Sequence, residues 1–231
     1  MRTLGLIGGL SWESTLPYYR LINQAVRNRL GGLHSAQLVL YSVDFQPIER
    51  HMRAGEWDAA GAALVQAARA LQAAGAEGLV LCTNTLHKVS AAIEIAVGIP
   101  LLHIIDLTAA EIRRAAFATV GLLGTGFTME QPFYAERLRT AHGIRALTPA
   151  AEDRRIIDRI IFDELCVGRA IDSSRQHCRR IMGTLVTQGA QAIILGCTEL
   201  ALLIQPQDTS VPLFDTTAIH AQAAADWALS D

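Results

Sequence analysis

The chain has 231 residues, of which 51% are hydrophobic and 18% charged, with a formal net charge of −2. That length suffices for one α/β domain or two small ones with a sizeable core, and the composition is too apolar for disorder. The near-neutral charge, with no basic block, gives phosphate-tracking nucleic-acid binding little electrostatic support, and the apolar runs are broken by Gly, Pro or charge well short of a membrane span.

Met1-Arg2 ahead of Leu4-Gly5-Leu6-Ile7 has the outline of a secretory leader. The apolar run is too short, however, and Trp12-Glu13-Ser14 stands where a cleavage site belongs. A first buried strand over 3–7, in a cytoplasmic protein, is expected instead. It runs into Gly8-Gly9-Leu10-Ser11, a turn that lets a ligand approach the backbone, with Leu10 and Ser11 as contact candidates. This is not a Gly-x-Gly-x-x-Gly fingerprint, and Asp44 is only a weak echo of a ribose-binding acid, so no nicotinamide cofactor is expected. A helix over 13–30 and a strand over 37–42 follow. Beyond them Arg50, Met52 and Arg53 are candidates for substrate contact. A guanidinium there could hold a side-chain carboxylate bidentately, or the cluster could be a solvated helix start.

A helix over 57–74 leads to a strand over 78–82 and the turn Thr83-Asn84-Thr85. Next come a helix over 88–97, a strand over 101–104, a helix over 106–115 and a strand over 119–123. The loop Gly124-Thr125-Gly126-Phe127-Thr128 offers the hydroxyls of Thr125 and Thr128, either to a carboxylate or to helix capping. The remaining elements are helices over 130–141, 156–165, 173–188 and 218–229, with strands over 145–147, 192–195 and 213–214. Short apolar runs alternating with helical-period segments predict parallel sheets built from βαβ units.

The chain repeats itself. Gly75-Ala76-Glu77-Gly78-Leu79-Val80-Leu81-Cys82-Thr83-Asn84-Thr85-Leu86 aligns without a gap on Gly189-Ala190-Gln191-Ala192-Ile193-Ile194-Leu195-Gly196-Cys197-Thr198-Glu199-Leu200 at an offset of 114. Thr3 to Gly9 resembles Thr119 to Thr125 at an offset of 116, and Ile99 to His103 resembles Val211 to Asp215 at 112. Ordered, near-constant offsets predict two similar α/β lobes. Their limits are expected at 1–98 plus 212–231 for the first and 99–211 for the second.

Ligands of open parallel sheets lie beyond the carboxyl ends of the strands. Both repeated turns are therefore expected at a site, with one proton-carrying side chain each. The alignment pairs Cys197 with Thr83 and leaves Cys82 one residue away, where strand alternation turns it aside as an apolar filler. Free amides around each turn are expected to hold a carboxylate and to lower the pKa of Cys197. Cys178 lies in a charged helical run and reads as incidental. No Cys-x-x-Cys or His-x-x-x-His spacing occurs among the four cysteines and seven histidines, so a dedicated zinc site is not expected. His87 could assist the site or make a structural hydrogen bond at a helix start. His103 and Asp215, partners in the repeat, could orient a cleft or cap helices.

Taken together, the opening Gly5-Leu6-Ile7-Gly8-Gly9, the Thr83-Asn84-Thr85 turn and the Gly196-Cys197-Thr198-Glu199 turn resemble the cofactor-independent aspartate/glutamate racemases over nearly the whole chain. That family usually reads Cys-Asn-Thr at the first turn, whereas Thr83 stands here. The stretch from Ser11 to Gln37 is similar to the L-aspartate/glutamate-specific branch, which carries this Thr/Cys pairing. The resemblance implies two pseudo-symmetric α/β lobes, often assembled as a homodimer, with no pyridoxal phosphate and no metal. It implies Thr83 and Cys197 as acid and base on opposite faces of the substrate α-carbon, with Cys197 acting on the L enantiomer. Leu10, Ser11, Arg50, Met52, Arg53, Asn84, Thr85, Thr125, Thr128, Thr198 and Glu199 are the expected contacts of a small carboxylate-bearing amino acid. Cys166 occupies a place where some relatives carry a substrate-binding lysine. A hydantoin racemase, a maleate isomerase of the same superfamily, or a catalytically silent amino-acid-binding protein are the alternatives.

Overall fold

A computed structural model of the chain describes residues 1–230. It contains two compact units, Met1–Ile104 with His220–Asp231 and Ile105–Ile219.

In the first unit the chain runs through β1 (Leu4–Gly8), α1 (Trp12–Leu30), β2 (Leu38–Ser42), α2 (Phe45–Ala54), α3 (Trp57–Ala73), β3 (Gly78–Leu81), a 3₁₀ turn over Thr85–Val89, α4 (Ser90–Ala96) and β4 (Leu101–Leu102). In the second it continues as α5 (Ile104–Arg114), β5 (Thr119–Gly124), α6 (Gly126–Glu130), α7 (Pro132–His142), β6 (Arg145–Leu147), α8 (Ala151–Arg159), a π-helical turn over Ile160–Glu164, α9 (Asp172–Thr187), β7 (Ile193–Gly196), α10 (Leu200–Leu203) and β8 (Leu213–Asp215). The last helix, α11 (Thr216–Leu229), begins in the second unit and returns the chain to the first at His220.

Each unit holds one four-stranded sheet, ordered β2-β1-β3-β4 and β6-β5-β7-β8, and every pairing is parallel. The inner strands β1, β3 and β7 are buried at every residue, as helix-covered parallel strands must be, and their sequences are accordingly continuous apolar runs. Leu4, Leu6, Val80 and Tyr18 anchor one core. Leu123, Ile193, Leu195 and Met182 anchor the other. Cys178, read from sequence as incidental, is fully buried in that second core.

The duplication extends to individual hydrogen bonds. At the end of α3 the amide of Ala76 reaches back to Leu71 O (3.0 Å), and at the end of α9 that of Ala190 reaches back to Leu185 O (3.0 Å). Gly75 (φ +92°) and Gly189 (φ +101°) supply the left-handed residue that this helix stop requires. One residue further, Glu77 N–H bonds Thr3 O (2.8 Å) and Gln191 N–H bonds Thr119 O (2.9 Å). Pro100 O and Pro212 O then accept from Leu79 and Ile193 in the same way, at 2.8 and 2.9 Å.

All eight expected strands form, with ends moved by a residue or two. The expected lobe limits are corrected: Leu101–Leu102 pairs with β3 and so belongs to the first unit, and Leu213–Asp215 pairs with β7 and so belongs to the second. The expected strand over 101–104 is cut short because α5 begins at Ile104. Helix α2 was not anticipated. Asp44 caps it by accepting from Gln46 N–H (3.2 Å), Gly55 ends it in the left-handed region, and only Ile48 and Met52 are buried. Among the described residues no helix is long and apolar enough to cross a membrane.

The first unit also buries a neutral histidine. His220, on α11, is fully buried, and burial pushes its imidazole down from 6.5 to about 4. Between those values the unfolded chain binds a proton that the folded chain does not. Stability is then complete above pH 6.5 and falls as the pH drops toward 4, by about 3 kcal/mol from this group. Urea unfolding followed by circular dichroism between pH 7.5 and 4.5 is expected to show this slope. His220→Gln is expected to flatten it, and an unchanged slope in the variant would contradict the assignment.

Candidate active site

In the first unit the site candidates gather at the carboxyl end of the sheet. Beyond β1, Gly9 has φ +83°, and a Cβ there would lie 2.3 Å from Val43 O, so only glycine permits this turn. Gly9 N–H bonds Thr15 Oγ1 (2.8 Å), and Ser11 O accepts from the Ser14 hydroxyl (2.9 Å). Leu10 and Ser11 are buried in this turn.

Beyond β3, Cys82 bonds back into the ladder through its amide to Ile7 O (3.0 Å). Its thiol is fully buried in the first core, where burial pushes it far above the usual thiol range. Cys82 is therefore the apolar filler expected. The next residue, Thr83, leaves the strand; its amide bonds Leu81 O (2.8 Å) and its carbonyl faces His87 Nδ1 (2.8 Å). Thr83, Asn84 and Thr85 are all buried, at 7%, 2% and 5% exposure.

The three residues expected to meet a substrate side chain lie on α2 and behave differently. Met52 is buried, Arg50 is exposed, and Arg53 pairs with Glu49 one turn earlier.

In the second unit Thr125 takes the N-cap position of α6. Its hydroxyl accepts from Thr128 N–H (3.2 Å) and donates to Thr128 Oγ1 (3.2 Å). Of the two roles left open for this pair, capping is the one seen, and Thr128 is wholly buried. Asp215 likewise caps α11, accepting from Thr217 (2.9 Å) and Ala218 (3.2 Å), while burial raises its carboxyl above the usual range.

Beyond β7 stands Cys197, 7% exposed. Its thiol lies 3.1 Å from Glu199 Oε2, which also accepts from the Thr198 hydroxyl at 2.6 Å. Glu199 Oε1 faces the Cys166 thiol at 3.6 Å. The expectation of an acidified Cys197 is corrected. Burial pushes this thiol well above its usual value, the Glu199 and Cys166 charges push it the same way, and the Glu199 amide opposes them only weakly. The resting group is a thiol that donates to a buried carboxylate, an acid already aligned with its own proton acceptor. Sequence reasoning named Glu199 but missed Cys166 as its neighbour, because 33 residues separate them and no local pattern links them.

Among the described residues no group of three or more His, Cys, Asp or Glu side chains is arranged to hold a metal ion.

The family model of the Asp/Glu/hydantoin racemases matches residues 7–224. A Yersinia pestis crystal structure named for the Asp/Glu racemases is 56% identical, covers all of both chains and superposes with a TM-score of 0.92. An aspartate racemase homologue from Pyrococcus horikoshii OT3 is 33% identical over the whole of both chains, with a TM-score of 0.86. The broad-specificity amino-acid racemase RacX of Bacillus subtilis (strain 168) is 23% identical over 95% of each chain. With two βαβ sheets of one order and two matched strand-end turns, the chain belongs to the Asp/Glu/hydantoin racemase family and is an isomerase of the racemase class.

Proposed function

We propose that the chain interconverts the L and D forms of aspartate or glutamate by proton transfer at the α-carbon, with Cys197 and Thr83 as the two proton-handling groups and without pyridoxal phosphate or a metal. The observation that carries this reading is the placement of Thr83 and Cys197 at equivalent strand ends of two copies of one unit.

On the L substrate, Glu199 takes the thiol proton as the Cys197 sulfur takes the α-proton. The aligned 3.1 Å contact supports that order, and the thiolate need never stand free in a buried site. The Thr83 hydroxyl then delivers a proton to the opposite face and recovers one from water, and Glu199 gives up its proton to neutralise the hydroxide left behind. Hydroxyls and amides of Asn84, Thr85 and Thr198 hold the substrate carboxylate and stabilise the enolate-like charge that develops there. On this reading Arg50, exposed on α2, meets a side-chain carboxylate in preference to Arg53, which is paired with Glu49.

A hydroxyl is a weaker acid than a thiol, so the two half-reactions differ. The enantiomers have equal free energy in achiral water, and detailed balance fixes equal kcat/KM in both directions. Asymmetry is confined to kcat and KM separately.

The test is a proton NMR screen in deuterium oxide with each L-amino acid, a hydantoin and maleate. Loss of the α-proton signal from aspartate or glutamate, with the D form found by chiral chromatography, is the expected result. Turnover of the hydantoin or of maleate alone would replace this reading with the corresponding relative's chemistry, and binding without exchange would make the protein a sensor. Assembly as a homodimer is part of the same reading and is checked by analytical ultracentrifugation.

A further inference from the structure

Three buried histidines lie behind the Thr83 turn, and the chemistry above uses none of them. His87, His103 and His220 are 3%, 6% and 0% exposed. The His87 ring centroid is 4.6 Å from that of His103 and 6.0 Å from that of His220.

Hydrogen bonding fixes two of their tautomers. The carbonyl of Thr83 can only accept, so His87 Nδ1, 2.8 Å away, carries a hydrogen. The amide of Ile104 can only donate, so His87 Nε2, 3.3 Å away, presents its lone pair. His220 is the reverse: Nε2 donates to Leu102 O (2.7 Å) and Nδ1 accepts from the Tyr18 hydroxyl (2.8 Å). The two imidazoles thus grip β4 and the start of α5 at Leu102 O and Ile104 N, and His87 carries that grip on to Thr83.

Thr83 lies outside the ladder that ends at Leu81, yet both of its peptide groups are held, the amide by Leu81 O and the carbonyl by His87. The repeat shows that the strand–turn–helix unit does not need this imidazole in order to fold. One residue beyond the gapless alignment, the position equivalent to His87 is Ala201, and β7 and α10 form there without it. The histidine stands only in the half whose tip is a threonine.

We propose that His87 is a positioning residue: as a neutral Nδ1–H imidazole it bonds the Thr83 carbonyl and so aims the Thr83 hydroxyl at the substrate. The proposal rests on the racemase reading above. A thiol can take or give a proton over a longer, softer contact, whereas a hydroxyl needs a short and well-aligned one, so the weaker acid gains most from a fixed backbone.

The test compares His87→Leu, which fills the space without a donor, with His87→Asn, whose amide N–H falls near the Nδ1 position. In deuterium oxide, L-aspartate and L-glutamate report two events. Exchange with retention needs only Cys197, and inversion needs Thr83 as well. In His87→Leu, inversion is expected to fall about tenfold to a hundredfold while exchange with retention stays near wild type, and His87→Asn is expected to recover most of the loss. Equal falls in both events, or a fall in neither, would overturn the proposal. A second measurement does not depend on turnover. In isotopically labelled protein the His87 ring is expected to show the Nδ1–H tautomer, and the Thr83 carbonyl carbon resonance is expected to shift in His87→Leu and return in His87→Asn. If wild type turns over neither amino acid, the racemase reading fails by itself, and an unmoved Thr83 carbonyl resonance would then overturn the positioning role.

Discussion

Cys197→Ser is expected to lower racemisation and α-proton exchange by about a thousandfold or more, because a serine hydroxyl is a far weaker acid than a thiol and its alkoxide a far costlier base to form. The fold is expected to survive. Serine fits the space, can still donate to Glu199 Oε2, and leaves the Thr198 contact to the same oxygen in place. The residual rate is not rescued by raising the pH, since the hydroxyl stays protonated throughout the range in which the protein is folded. Circular dichroism would report the fold and chiral chromatography the rate. A folded variant racemising at the wild-type rate would remove Cys197 from the chemistry.

Thr83→Ala is expected to cost racemisation about a hundredfold to a thousandfold, while Cys82→Ala leaves it near the wild-type rate. The contrast separates two residues that differ by one place in the chain. Cys82 sits inside the first core with its thiol held far from ionisation by burial, so its loss is a packing change worth about 1 kcal/mol of stability. Thr83 lies two residues beyond the end of the ladder at Leu81, at the position equivalent to Cys197. Steady-state assays from each pure enantiomer, alongside urea unfolding, would read both effects. The opposite ranking would mean that the proton on the first tip belongs to Cys82.

Much of this was legible in the sequence because the inner strands are covered on both faces. Leu4–Gly8, Gly78–Leu81 and Ile193–Gly196 read as continuous apolar runs, and a nearly constant offset exposed the duplication. What escaped was of three kinds. Helices α6 and α10 span about one turn, too short for any period to register, and α2 mixes Pro47 with charge and buries only Ile48 and Met52. The borders of the two units were misplaced because β4 and β8 are two and three residues long, and only their pairing partners decide which sheet they join. The acidity of Cys197 was read with the wrong sign. Neighbouring amides are visible in a turn sequence, but depth of burial and the direction of the Glu199 carboxylate are not. For the same reason His87 stayed ambiguous, since its two partners lie 4 and 17 residues away.

The twin helix stops, Gly75 with Ala76 and Gly189 with Ala190, bear on how such a chain diverges. Each joint is fixed by the same main-chain bonds, so side-chain drift beyond β3 or β7 leaves the joint intact. After a gene doubles, folding constrains the joints and reactivity constrains the tips, and the two sets of residues mutate independently. Under the two-group chemistry proposed above, selection can then tune one half-reaction at a time. A lineage can exchange a sulfur tip for an oxygen tip, and add a brace such as His87 on that side alone, without passing through an unfolded ancestor.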